Sequence, residues 1–119
     1  MSIPKIFESE YRFCCILWDN EPVTSSELVK LCAEKLGWKK STTYTVLRRL
    51  CQRGILQNQD AIVTSLIKKE EYMALRSEQM LADEFDGSLP QFVAAFMSRK
   101  KLSKKQISEI QKLIDEYEE

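Results

Sequence analysis

Histidine is missing from all 119 residues of this chain. Its absence removes imidazole general-base and nucleophile chemistry and the mixed Cys/His zinc sites, leaving a four-cysteine cluster as the sole metal option. The four cysteines, Cys14, Cys15, Cys32 and Cys51, lie in apolar-periodic segments of the first half and never at CxxC spacing, so they read as small core hydrophobes. No cofactor is expected. Only three glycines and three prolines occur, and none forms a phosphate-cradling loop or a nucleophile elbow. No run approaches the roughly 18 continuous apolar residues of a membrane span. The amino terminus has no apolar signal segment with a small-residue cleavage site. The expectation is a soluble, cytoplasmic protein that is not an enzyme and does not insert into membranes.

Net charge is lacking too, with 18 basic residues against 18 acidic ones, so the overall balance gives no nucleic-acid signal. Its distribution does. From Lys35 to Gln59 there are six bases (Lys35, Lys39, Lys40, Arg48, Arg49 and Arg53) and no acid, whereas residues 67–119 hold eleven acids against nine bases. The positive field is local.

Inside that field, Lys39 to Gly54 reads as a DNA-recognition helix. Ser41 is the predicted N-cap, and Gly54 the left-handed residue past the end. Thr43, Val46, Leu47 and Leu50 recur at helical spacing as a face to be buried. At about 100° per residue, Ser41, Tyr44, Thr45, Arg48, Arg49 and Gln52 fall opposite. Reach assigns the roles. Thr45, Arg48 and Gln52, on the outer arc, meet base edges, and Lys39, Lys40, Ser41, Thr42 and Arg49 meet phosphates. Tyr44, at the edge of the two faces, divides between core packing and phosphate contact. Arg53 joins Arg48 and Arg49 as a basic trio in reach of DNA.

The rest of the chain frames this helix. Ser9 to Trp18 forms a first helix, with Tyr11, Cys14, Cys15 and Trp18 as its stripe and Phe13, Ile16 and Leu17 thickening the apolar side. Asp19-Asn20-Glu21-Pro22 breaks the pattern. Thr24-Ser25-Ser26-Glu27 then reads as a capping box stapled by Val23 and Leu28, starting a second helix that Gly37 stops. After the recognition helix, Ile55-Leu56, a polar tip from Gln57 to Asp60 and the β-branched run Ala61 to Leu66 give a hairpin. Helix, helix, helix, hairpin is a winged helix-turn-helix. Its wing tip has Asp60 and no base, so little DNA contact is expected there. Trp18 and Trp38 read as core or core-rim residues.

A longer helix from Lys69 to Asp86, a short one capped by Ser88, and a last one opened by the Ser103-Lys104-Lys105-Gln106 capping box complete the chain. Three apolar-faced helices this small cannot bury themselves alone, and a second copy of the chain is the expected partner. Leu81, Phe85, Phe92, Val93, Phe96, Ile107, Ile110 and Ile114 are the expected dimer contacts. The fold class is therefore mainly α with a small β-hairpin. A winged-helix DNA-binding domain over residues 1–68 precedes a helical dimerisation module over residues 69–119.

The string Trp38-Lys39-Lys40-Ser41-Thr42-Thr43-Tyr44-Thr45-Val46-Leu47-Arg48-Arg49-Leu50, with Glu10 to Trp18, Pro22-Val23-Thr24, Lys68 to Tyr72 and Phe92 to Phe96, resembles the BlaI/MecI/CopY penicillinase-repressor family. That resemblance implies a repressor that binds an inverted-repeat operator in double-stranded DNA as a homodimer. In the β-lactam-responsive branch it also implies inactivation by a membrane metalloprotease sensor that cuts ahead of a phenylalanine in the penultimate helix. Ala95-Phe96 occupies that place, although familiar relatives carry asparagine where this chain has Ala95. Copper-sensing members have a late Cys-x-Cys cluster, and no cysteine follows Cys51 here. The competing reading, allowed by neutral charge and an acidic wing tip, is a winged-helix protein-interaction module without DNA binding. Salt-dependent binding to duplex DNA separates the two.

Overall fold

Apolar side chains at helical spacing draw three helices together over a small sheet. The protein is described here by a computed structural model covering residues 5–117. Packing divides the chain within one helix, after Ser77. The first unit contains α1 (Glu8–Asn20), β1 (Val23–Thr24), α2 (Ser25–Leu36), α3 (Lys40–Gln52), β2 (Leu56–Gln59), β3 (Ile62–Ser65) and the first turns of α4 (Lys69–Glu84). Its core joins Phe13, Cys14, Ile16 and Leu17 of α1, Leu28 and Cys32 of α2, and Val46, Leu47 and Leu50 of α3 with Ile55, Leu56 and Val63 at the sheet. Element order and the antiparallel hairpin make this a winged helix, mainly α, as expected.

The stripe on α1 is turned from the one the periodicity predicts. Phe13, Cys14, Ile16 and Leu17 are the buried apolar residues, and Tyr11, Cys15 and Trp18 are half-buried. The reason is that α1 is covered on two sides. Its second side meets α4, where Tyr72 is buried with its ring 6.1 Å from Tyr11 and 5.9 Å from Trp18. The Trp18 indole N–H also donates to the Ile67 carbonyl at 3.0 Å, which places it at the core rim.

Thr24 caps α2 by accepting from the Glu27 N–H at 3.1 Å, and Gly37 ends it at φ 69°, a left-handed conformation that costs glycine little. The recognition helix begins earlier than its composition indicates. Lys39 is the N-cap, with no side-chain cap, and Ser41 lies inside the first turn. Trp38 fixes the entry instead: it stacks on Phe13 at 5.9 Å and 13°, and its N–H donates to the Cys32 carbonyl. Gly54 follows the helix at φ 77°, as expected.

The hairpin is tighter than a four-residue tip. Gln57, Asn58 and Gln59 belong to β2, and only Asp60 and Ala61, at φ 54° and 63°, form the turn. Two positive φ angles give the backbone twist that matches paired strands. The sheet also has a third strand, in the order β1-β3-β2, with Val23 opposite Val63. Two residues beside a proline carry too little alternation to be read as a strand.

The second unit, from Glu78 on, holds the end of α4, α5 (Leu89–Arg99) and α6 (Lys104–Asp115). Its caps follow the expected chemistry. Ser88 accepts from the Gln91 N–H at 3.1 Å, and Ser103 and Gln106 cap reciprocally at 3.1 and 3.0 Å. Phe85, Phe92 and Phe96 form an aromatic row with centroids 5.6 and 6.4 Å apart. None of its described side chains is fully buried.

Candidate nucleic-acid interface

The buried face of α3 decides what the outer face presents. With Thr43, Val46, Leu47 and Leu50 turned inward, Lys39, Lys40, Ser41, Thr42, Arg48, Arg49 and Gln52 are all exposed. Among the described residues, none of these four bases forms an ion pair. Tyr44 and Thr45 are half-buried. The Tyr44 hydroxyl lies 3.5 Å from Ser25 Oγ, at the edge between core and surface. Thr45 donates its hydroxyl to the Ser41 carbonyl at 2.9 Å, which leaves its oxygen free to accept and its methyl free for apolar contact.

Arg53 is not part of this surface. Its guanidinium donates to Glu10 Oε1 at 2.6 Å and lies 5.4 Å from the Phe7 ring centre, so its charge is used to tie the end of α3 to the start of α1. Glu10 also accepts the Phe7 N–H at 3.0 Å. Burial pushes this carboxyl up, but the hydrogen bonds from Arg53 and Phe7 and the charges of Arg53 and Arg49 outweigh it and hold the pKa below the ordinary value. Charge counting could not separate Arg53 from its neighbours, because the partner lies 43 residues away.

Beside α3 lies a hollow of about 340 Å³ lined by Tyr44, Leu47, Arg48, Cys51 and Asn58. Asn58, on β2, shares it with Arg48. Asn58 is an uncharged donor, which charge along the wing does not reveal. Cys14 and Cys32 are fully buried, and burial, with Cys15 and Glu10 nearby, pushes the Cys14 thiol up to about 12. Among the described residues no group of His, Cys, Asp or Glu could hold a metal ion, and no helix is long and apolar enough to cross a membrane.

In the second unit, Leu81, Phe85, Phe92 and Val93 are half-buried, while Phe96, Ile107, Ile110 and Ile114 are exposed. Phe92, Val93, Phe96, Ile110 and Leu113 line an apolar hollow of about 370 Å³ between α5 and α6. Ala95 and Phe96 lie in the middle of α5, with the Ala95 carbonyl accepting from Ser98 Oγ at 2.7 Å.

Comparison with known proteins agrees with this arrangement. The profile of the penicillinase repressor family matches residues 6–116. The penicillinase repressor of Bacillus licheniformis is 24% identical over 119 residues, spanning 97% of this chain and 93% of its own length. The solution structure of the DNA binding domain of the repressor BlaI superposes with a TM-score of 0.54 at 25% identity, covering 60% of this chain and 94% of that domain. From α1 through the hairpin and on through α6, the chain belongs to the penicillinase repressor family, which comprises transcriptional repressors and not enzymes.

Proposed function

We propose that the protein represses transcription by placing α3 in the major groove of double-stranded DNA, one half-site per protomer of a homodimer on an inverted-repeat operator. The observation that carries this is the outer face of α3. Four bases that form no ion pair among the described residues and five hydrogen-bonding side chains share one surface, and of these only Tyr44 also packs against the core. Thr45, Arg48 and Gln52 reach base edges there, and Lys39, Lys40, Ser41, Thr42, Tyr44 and Arg49 position the helix on the backbone.

Dimerisation through residues 69–119 is supported by exposed apolar surface. Phe96, Met97, Ile107, Ile110, Leu113 and Ile114 are each at least 40% exposed, apolar surface of the kind that marks an interaction site. Release from DNA follows from a cut at Ala95-Phe96 by a membrane metalloprotease sensor. A protease takes extended chain, so α5 must first open locally, and a helix with no buried residue opens at small cost.

The test is a pair of substitutions measured on operator variants. Arg48→Ala is expected to cost roughly 1–3 kcal/mol and relax preference at one base pair, and Lys40→Ala to weaken all sequences alike. Equal, sequence-independent losses from both would refute the assignment. For release, a chain ending at Ala95 is expected to lose the dimer and with it about 10²–10⁴ in operator affinity. Full operator affinity in that chain would rule out release by cutting.

A further inference from the structure

The neutral chain hides two basic fields. One runs from Lys35 to Gln59 and contains α3, and the other runs from Gly87 to Ser108. Together they hold eleven of the 18 bases and none of the 18 acids. The bases of the second field are Arg99, Lys100, Lys101, Lys104 and Lys105, five within seven positions at the junction of α5 and α6, all exposed.

Local structure gives these charges little among the described residues. Among the described residues the only ion pair they make is Lys105 with Glu109, at 4.0 Å and with side chains 86% and 63% exposed, which fixes neither. Lys104 and Lys105 also occupy the first turn of α6, where the backbone dipole already presents positive charge. Helix stability alone would place acids there. Arg99, in the last turn of α5, suits its helix, but Lys104 and Lys105 do not, and five clustered bases in an otherwise acidic remainder suit an anion outside the chain.

We propose that the α5–α6 junction is a second polyanion site, which holds the phosphate backbone of double-stranded DNA. This rests on the DNA-binding reading of α3 and extends it. Flexible lysines at one loop hold phosphate weakly on their own. Once α3 holds a duplex, however, a junction tethered on the same chain samples that duplex at a high effective concentration. Such contacts carry no sequence information and add to the salt dependence of binding.

The experiment compares the full chain with Lys100→Gln/Lys101→Gln/Lys104→Gln/Lys105→Gln. A control, Lys5→Gln/Lys30→Gln/Lys69→Gln/Lys112→Gln, makes the same change in net charge elsewhere. Each is titrated over a salt series with a 40-base-pair duplex carrying the operator and with one of unrelated sequence. The junction variant is expected to keep its base preferences and to lose about 0.9 in the slope of log K against log salt for each phosphate contact removed. The control is expected to keep the parent slope. An unchanged slope in the junction variant, or an equal loss in the control, overturns the proposal. So does loss of binding to phosphatidylserine vesicles with duplex binding intact, which would assign the junction to an anionic membrane surface. Failure of the α3 reading looks different, since Arg48→Ala would then leave operator preference untouched.

Discussion

The two units of this chain treat their apolar residues in opposite ways. Up to Ser77, Phe13, Leu17, Leu28, Leu50, Ile55, Leu56 and Val63 are all but sealed from water, while from Glu78 on no described side chain is buried and Ile107, Ile110, Leu113 and Ile114 face outward. The first unit therefore carries its stability within one protomer. In the second, apolar residues of the same kind at the same helical spacing contribute only when something covers them. In the proposed dimer, order in the second unit is linked to concentration, and the proposed release step acts there with least work.

The largest expected effect breaks the self-contained unit. Phe13→Ala removes a fully buried ring stacked on Trp38 and is expected to cost ~3–5 kcal/mol, independent of protein concentration, by denaturant melts. Ile110→Asp is next and sharpens the contrast. At 40% exposure the change is nearly free in a lone protomer, but in a dimer it buries an unpaired charge at roughly 2–4 kcal/mol. Sedimentation is expected to show the pair splitting while the melt of the first unit stays in place. A variant that remains dimeric would move the interface away from α6.

Much of this was legible in the sequence where one local rule sufficed. Caps at Thr24, Ser88 and Ser103, the turn at Gly37 and the inner face of α3 all follow from residues within four positions of each other. What escaped depended on distant partners. Arg53 is withdrawn from the DNA face by Glu10, α1 is turned by Tyr72, and the start of α3 is set by Trp38 against Phe13. Composition places a charge on a face, and only tertiary contact decides whether it is free.

That decision makes a smaller, pH-dependent prediction. The Glu10 carboxyl is held below its ordinary value, so its contribution is fully present above the unfolded pKa, about 4.5, and is lost as pH falls through the lower folded value. Glu21 behaves alike. Burial raises its pKa, but the backbone N–H and hydroxyl of Ser65 and the ammonium of Lys68 bring it below the ordinary value. Glu10→Gln is expected to cost roughly 1–3 kcal/mol at pH 7, with the gap to the parent narrowing below about pH 4.5. A gap independent of pH would mean that the carboxylate charge adds nothing to the tie between α1 and α3.

The smallest effect concerns Thr43, the one polar side chain on the inner face of α3. It is 1% exposed, and its hydroxyl has no hydrogen-bond partner among the described residues. A buried hydroxyl left unpaired costs its desolvation, and valine keeps the branched shape without it. Thr43→Val is therefore expected to leave stability unchanged or raise it by up to about 1 kcal/mol, and to leave operator affinity alone because the residue faces away from DNA. Thr45→Val makes the mirror experiment two residues along. It is half-buried on the face proposed to meet base edges, so melting should hardly move while operator preference changes. A loss of 2 kcal/mol or more in Thr43→Val would show that the hydroxyl is paired in the folded chain after all, with the neighbouring Cys32 thiol the group to test next. The core of the first unit would then hold one polar link between α2 and α3.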